Sequence, residues 1–193
     1  MAGIQRIEVG ISFDTTGSMY ACLMSVRRKI RDAIHDLFYR VPNIRIGIIA
    51  HGDYCDRHST YVTKKFDLSR DEDALCNFVM NVEPTGGGDC PECYELVLHE
   101  ARDMSWTDGS HKAFLVIGDD VPHKPNESQN TLHLNWRDEV DLLTKMGVKV
   151  YGLQALGRSH ATSFYREIAT RTGGQHLTLD QFEDVINIIM AIC

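Results

Sequence analysis

The hydrophobic period switches back and forth along this chain, and that alternation limits the possible folds more than any other feature. Ile7–Phe13 (IEVGISF), Ile44–Ala50 (IRIGIIA), Lys112–Gly118 (KAFLVIG) and Val148–Gln154 (VKVYGLQ) are short runs dominated by apolar residues. Runs of this length read as strands buried on both faces of a sheet. Between them the spacing becomes helical: Leu23, Val26, Ile30, Ile34, Leu37 and Phe38 share one helix face until Pro42 stops the segment. Further helices are expected at Ser69–Val82, with Ser69 as the cap and acids in the first turn, and at Pro91–Asp103, where proline suits the first turn. Others are expected near Trp136–Met146, from a Ser159 cap to Gly173, and at Gln181–Ile192. The more polar Thr60–Phe66 reads as an edge strand, and His176–Leu179 as a short one. No internal repeat or low-complexity linker interrupts the series. The expectation is one domain over residues 1–193, an α/β, Rossmann-like, three-layer α/β/α sandwich. Its sheet should be mostly parallel with one antiparallel edge strand.

Charge and cysteine content narrow the function. The net charge is −7, and no Lys/Arg cluster interleaves with aromatic residues, so nucleic acid is not an expected partner. Met1–Gly10 lacks a basic-then-apolar leader pattern and no apolar run is long enough to span a bilayer, so no membrane role and a cytoplasmic location are expected. The six cysteines are too sparse for the framework of a small secreted domain, and mostly free thiols are expected.

In a sheet of this kind ligands bind beyond the carboxyl ends of the strands, where neighbouring connections leave to opposite sides. Three polar loops fall at such places: Asp14-Thr-Thr-Gly-Ser-Met19, Glu83-Pro-Thr-Gly-Gly-Gly-Asp-Cys-Pro-Glu92 and Gly118-Asp-Asp-Val-Pro-His123. If the strands before the first and third loops are adjacent, Asp14 and Asp119 face each other. Asp14, Thr16 and Ser18 alternate, and Gly17 permits a tight bend, so three oxygens can converge on one point. Hard cations such as Mg²⁺ take oxygen ligands of this kind. Helix capping explains any single hydroxyl equally well, but not aspartates at other strand ends.

These motifs resemble the von Willebrand factor A domain, whose metal-ion-dependent adhesion site (MIDAS) opens with D-x-S-x-S. Here that stretch is Asp14-Thr15-Thr16-Gly17-Ser18, with threonine in place of the first serine. The TGGGDCPE stretch, the GDxxPH loop, HGDYCD after the second strand and NWRDEVDLLTKMGVKVY are closer to the intracellular alpha-kinase and hemicentin branches. The resemblance runs from about Ile4 to the end of the chain. It implies a metal-dependent protein-binding module with Asp14, Thr16, Ser18 and Asp119 as ligands, and since no nucleophile–base arrangement emerges from the sequence, a non-enzymatic role is expected. The second-loop ligand falls on Asp89, with Thr85 as the alternate. The metal implied is Mg²⁺, or Mn²⁺ or Ca²⁺, and the partner is another protein whose acidic side chain completes the coordination. An aspartate at position 89 would lower the local positive charge and make the site a less avid trap for acidic partners. The resemblance also implies that the last helix shifts when the metal face is occupied.

Other readings compete. Cys55, His58, Cys90 and Cys93 have residue types and spacing suited to structural zinc, although C-x-x-C alone is a weak signal. A scaffold with a vestigial metal site is a third possibility. FDTTGS and GDD also echo Mg²⁺-dependent phosphatases of the haloacid-dehalogenase type, but Thr16 stands where their general acid belongs. His51 and His123 read as satisfied polar contacts at strand ends, Asp53 and Asp120 as negative potential on the metal face, and Asp56 as solvated loop charge.

Overall fold

The computed structural model describes residues 6–88 and 91–191. Asp89 and Cys90, two of the candidate ligands, therefore lie outside the described residues. Six strands form one sheet in the order β3-β2-β1-β4-β5-β6. They are β1 (Ile7–Asp14), β2 (Arg45–His51), β3 (Thr63–Ser69), β4 (His111–Gly118), β5 (Val148–Gln154) and β6 (His176–Thr178). Among the described residues only β3 is antiparallel to its neighbour. The α-helices among the described residues are α1 (Leu23–Arg40), α2 (Glu72–Asn81), α3 (Tyr94–Arg102), α4 (Trp136–Lys145), α5 (Thr162–Thr172) and α6 (Phe182–Ala191).

The apolar strands end up where their patterning demands. All eight residues of β1 are buried, with Val9, Ile11 and Phe13 packing toward α1, α2 and α6. The neighbouring face, carried by Phe114, Val116 and Val150, is covered by α3, α4 and α5. Helices thus cover both faces, as a parallel sheet requires to keep its apolar side chains from water. The connection after β1 runs through α1 on one face, and the connection after β4 through α4 on the other. A crevice therefore opens between the carboxyl ends of β1 and β4, the paired central strands.

Several boundaries differ from the sequence reading. The antiparallel strand starts at Thr63 rather than Thr60. The Ser69 cap is replaced by Asp71, whose carboxylate accepts from the Ala74 amide at 2.9 Å, while Ser69 Oγ accepts from the Asp71 amide at 3.0 Å. A carboxylate is the stronger acceptor and also favours the positive end of the helix dipole. Helix α3 starts at Tyr94 instead of Pro91, because Glu92 is drawn into a parallel bridge with Pro122. Ser159 does not cap α5: the N-cap is Ala161, with no side-chain bond. The left-handed Gly173 (φ 75°) does end that helix, where a side chain would be strained.

Candidate metal centre

The first loop turns on its own aspartate. The Thr16 amide donates to Asp14 Oδ1 at 2.8 Å, and the Thr16 hydroxyl donates to the same oxygen at 2.6 Å. A short 3-10 turn follows at Gly17–Ala21, and Thr16 occupies its N-cap without making a side-chain cap bond. The capping explanation for this hydroxyl is therefore not realised. Thr16 Oγ1 lies 3.2 Å from Ser18 Oγ, which donates to Asp119 Oδ1 at 2.9 Å. Asp14, Thr16, Ser18 and Asp119 thus form a continuous oxygen chain across the crevice. Strand pairing sets this up: Phe13 lies opposite Ile117, so the two aspartates leave adjacent strand ends.

Tyr94, the first residue of α3, joins the two arms. Its hydroxyl donates to Asp14 Oδ2 at 2.8 Å and accepts from the Asp119 amide at 3.2 Å. Gly118 makes room for it, since a β-carbon there would stand 2.0 Å from the Tyr94 oxygen. The sequence reading missed Tyr94, and nothing in its spacing distinguishes it from an ordinary core tyrosine.

The second loop braces the first through its backbone. Gly17 donates to the Gly86 carbonyl at 2.8 Å, and Thr85 to the Thr15 carbonyl at 2.9 Å. Thr85 Oγ1 contacts Thr15 Oγ1 at 3.2 Å, in a hydroxyl cluster with Tyr61 that stands beside the Asp14–Thr16–Ser18–Asp119 chain. Asp56 is not a solvated charge: it is buried and accepts from the amides of Asp53, Gly86 and Gly87. The signal was present as a capping box, Asp53-x-x-Asp56, opening the 3-10 turn Tyr54–His58. Asp53 and Asp120 are buried as well.

Glu92 is the carboxylate missing from the sequence-derived site. It is buried, it lines a cavity of about 210 Å³ with Gly17, Ser18, the glycine triplet, Asp120 and Arg158, and its Oε2 has no hydrogen-bond partner. Burial, followed by the negative charge of Asp14, Asp53, Asp120 and Asp119, pushes its carboxyl up to about 10. Burial likewise raises Asp14 to about 6, against the hydrogen bonds from Thr16 and Tyr94. Asp119 is raised by burial and by Asp14. Its Oδ2 lies 2.7 Å from Arg158 Nε, but no hydrogen bond is directed at that oxygen. Arg158 thus meets this oxygen by charge without a directed hydrogen bond. Clustered buried carboxylates with orphaned oxygens, flanked by hydroxyls, fit a hard divalent cation. Asp14, Thr16, Ser18 and Asp119 are the residues that would hold it.

The cysteine and histidine residues are less well arranged. Cys55 and His58 are exposed, whereas Cys93 is buried with Sγ 3.1 Å from the Gly52 carbonyl. Among the described residues no three His, Cys, Asp or Glu side chains come together as a metal-binding group, and the four described cysteines are free thiols. The oxygen chain, by contrast, draws on two carboxylates and two hydroxyls. His123 is satisfied by Asp53 at 2.7 Å and Glu127 at 2.8 Å. His51 is not: neither ring nitrogen has a hydrogen-bond partner, and its ring packs edge-on to Tyr94 with centroids 4.9 Å apart. Burial first of all lowers its pKa to about 3, which keeps the ring neutral.

No family model matches the chain. A protein of Acanthamoeba polyphaga mimivirus, named as an ariadne-like RING finger protein, is 26% identical over 197 residues, covering 93% of this chain. The chain spans only 19% of that relative's length. Among solved structures, the pilus adhesin SpaC of Lactobacillus rhamnosus GG superposes with a TM-score of 0.72 at 12% identity, over 99% of this chain and 30% of the adhesin. Proximal thread matrix protein 1 of the mussel byssus, solved with a zinc-occupied MIDAS motif, gives 0.70 at 18% identity over 96% of this chain and 46% of that one. BatB of Bacteroides thetaiotaomicron gives 0.66 at 15% identity, with 96% and 98% covered. The fold is of the von Willebrand A type.

Proposed function

We propose that this chain is a non-enzymatic protein-binding module whose binding face is built around a divalent cation. The observation that carries the reading is the Asp14–Thr16–Ser18–Asp119 oxygen chain at the crevice between β1 and β4, with no directed hydrogen bond at Asp119 Oδ2. A bound Mg²⁺, Mn²⁺ or Ca²⁺ would supply a Lewis-acidic position able to accept a carboxylate from a partner protein. The chain's own residues orient the two aspartates, supply the hydroxyl oxygens and shape the cavity mouth. The fold-mate with a zinc-occupied MIDAS motif supports a divalent metal in this type of site, and the adhesin supports the interaction role. Asp120 lines the same cavity, and a carboxylate there favours retention of the cation and tempers its pull on an acidic partner. Glu92, whose carboxyl is pushed up to about 10, stands beside the chain as a neutral acid. The sequence features of the intracellular branches support a place inside the cell. Among the described residues no helix is long and apolar enough to cross a membrane.

Elemental analysis after equilibration with Mg²⁺ and trace Zn²⁺ tests the reading. Wild type should retain about one equivalent of Mg²⁺ and Asp14→Ala should lose it, because a carboxylate is removed from a small oxygen-ligand site. Zinc retained by both proteins, without magnesium, would transfer the site to the cysteine–histidine segment and refute the proposal.

A further inference from the structure

We propose that Arg158 is a tethered counter-cation at this site, one that competes with the divalent metal for Asp119 and must swing away when the metal binds. The inference rests on the metal reading above. Arg158 belongs to the loop between β5 and α5, and its Nε stands 2.7 Å from Asp119 Oδ2. The Asp119 side chain is fully buried, whereas that of Arg158 is 38% exposed. One partner is thus fixed in the floor of the crevice and the other reaches down from the rim.

Three features make Arg158 replaceable rather than structural. First, the Asp119 oxygen it approaches receives no directed hydrogen bond, so the contact is chiefly one of charge. A bidentate guanidinium–carboxylate fork would be far harder to displace. Second, the backbone is anchored independently of the side chain. The Arg158 carbonyl accepts from Gln154 Nε2 at 2.5 Å and from the Ala161 amide at 3.1 Å, and Ala155 donates to the Gly118 carbonyl at 2.7 Å. The guanidinium can therefore leave without dragging the loop. Third, Leu156 (φ 55°) and Gly157 (φ 58°) are both left-handed, a sharp backbone turn immediately before Arg158, which lines the cavity. A left-handed leucine is uncommon and its side chain is exposed, so apolar packing does not account for the turn.

The same loop sends His160 Nε2 to within 3.1 Å of Asp120 Oδ1. This one segment thus sends a guanidinium and an imidazole to two adjacent carboxylates. A guanidinium and a divalent cation make the same demand on Asp119 and repel each other at that distance. Occupancy by one lowers occupancy by the other, and the effect is reciprocal. Arg158 would set the metal affinity and, once released, would stand beside the metal as a second cationic contact.

Equilibrium Mn²⁺ binding should be measured on wild type, Arg158→Gln and Asp14→Ala, alongside Mg²⁺ titration of the arginine Nε–H resonances. The Arg158 resonance is assigned by its absence from Arg158→Gln. Removal of the competing charge should tighten Mn²⁺ binding roughly tenfold or more, and in wild type the Arg158 resonance should move toward that of a free guanidinium as Mg²⁺ is added. Mn²⁺ binding that is lost in Asp14→Ala but unchanged in Arg158→Gln would overturn the inference and leave the metal reading standing. So would tighter binding with an Arg158 resonance indifferent to Mg²⁺. Absence of binding in all three proteins would end both.

Discussion

At the residue scale, the candidate site depends on which oxygens are already committed to a hydrogen bond. Asp14 accepts from Thr16 on one oxygen and from Tyr94 on the other, so its rotamer is fixed before any ligand arrives. Tyr94 is thereby a positioning residue for both aspartates. Tyr94→Phe keeps the ring in place and removes only the hydroxyl, leaving Asp14 Oδ2 free to rotate and the Asp119 amide without its acceptor. The expected result is metal affinity weakened about 10–100-fold, the usual effect of losing a group that orients a ligand, with an unchanged far-UV spectrum and elution volume. Isothermal titration with Mn²⁺ on both proteins checks it. This part of the site was half legible in the sequence. Asp14, Thr16, Ser18 and Asp119 announce themselves by alternation and by following apolar runs. Glu92 and Tyr94 do not, because their role depends on how α3 is seated, which no local pattern records. Asp56 was misread because a capping box inside a polar loop looks like solvated charge until its backbone partners are known.

At the scale of elements, the strands were more legible than the helix starts. A doubly buried strand leaves little choice of register, and β1, β2, β4 and β5 appear within a residue of the apolar runs that mark them. Helix starts depend on which of several nearby polar side chains wins the cap, as Asp71 does over Ser69. The far end of β1 carries a different dependence. Glu8 is buried and its carboxylate accepts from Arg45, Thr107 and Ser110, tying β1 to β2 and to the loop before β4. Burial alone would raise its pKa, but these donors outweigh it and hold the group below its ordinary 4.5. The unfolded chain therefore binds the proton more readily than the folded one. The stabilisation is present above pH ~4.5 and fades as the pH falls through the lower, folded value. Glu8→Gln should cost about 2 kcal/mol at neutral pH, and its unfolding free energy should fall less steeply than that of wild type on acidification. Urea unfolding at a series of pH values measures both effects.

At the scale of the whole molecule, the strand order decides where chemistry can happen. Two central parallel strands whose connections depart to opposite faces leave a crevice at their carboxyl ends, and the alternation of periods was enough to expect it. The order itself was not in the sequence: that β1 lies between β2 and β4 follows from which apolar faces fit, a long-range matter. The consequence is that the site bridges the halves of the sheet. Asp14 comes from β1 and Asp119 from the end of β4, with the Thr85–Gly88 segment bracing the first loop from the side. A cation held there favours the folded chain alone, since an unfolded chain cannot gather these oxygens. With free metal about a hundredfold above its dissociation constant, this linkage amounts to about 2.7 kcal/mol. For a chain of this size that corresponds to a rise in melting temperature of roughly 5–10 °C. Wild type melted in Mg²⁺ and again in chelator should show that difference, and Asp14→Asn should show none. A shift of equal size in Asp14→Asn would mean that the metal acts elsewhere on the molecule.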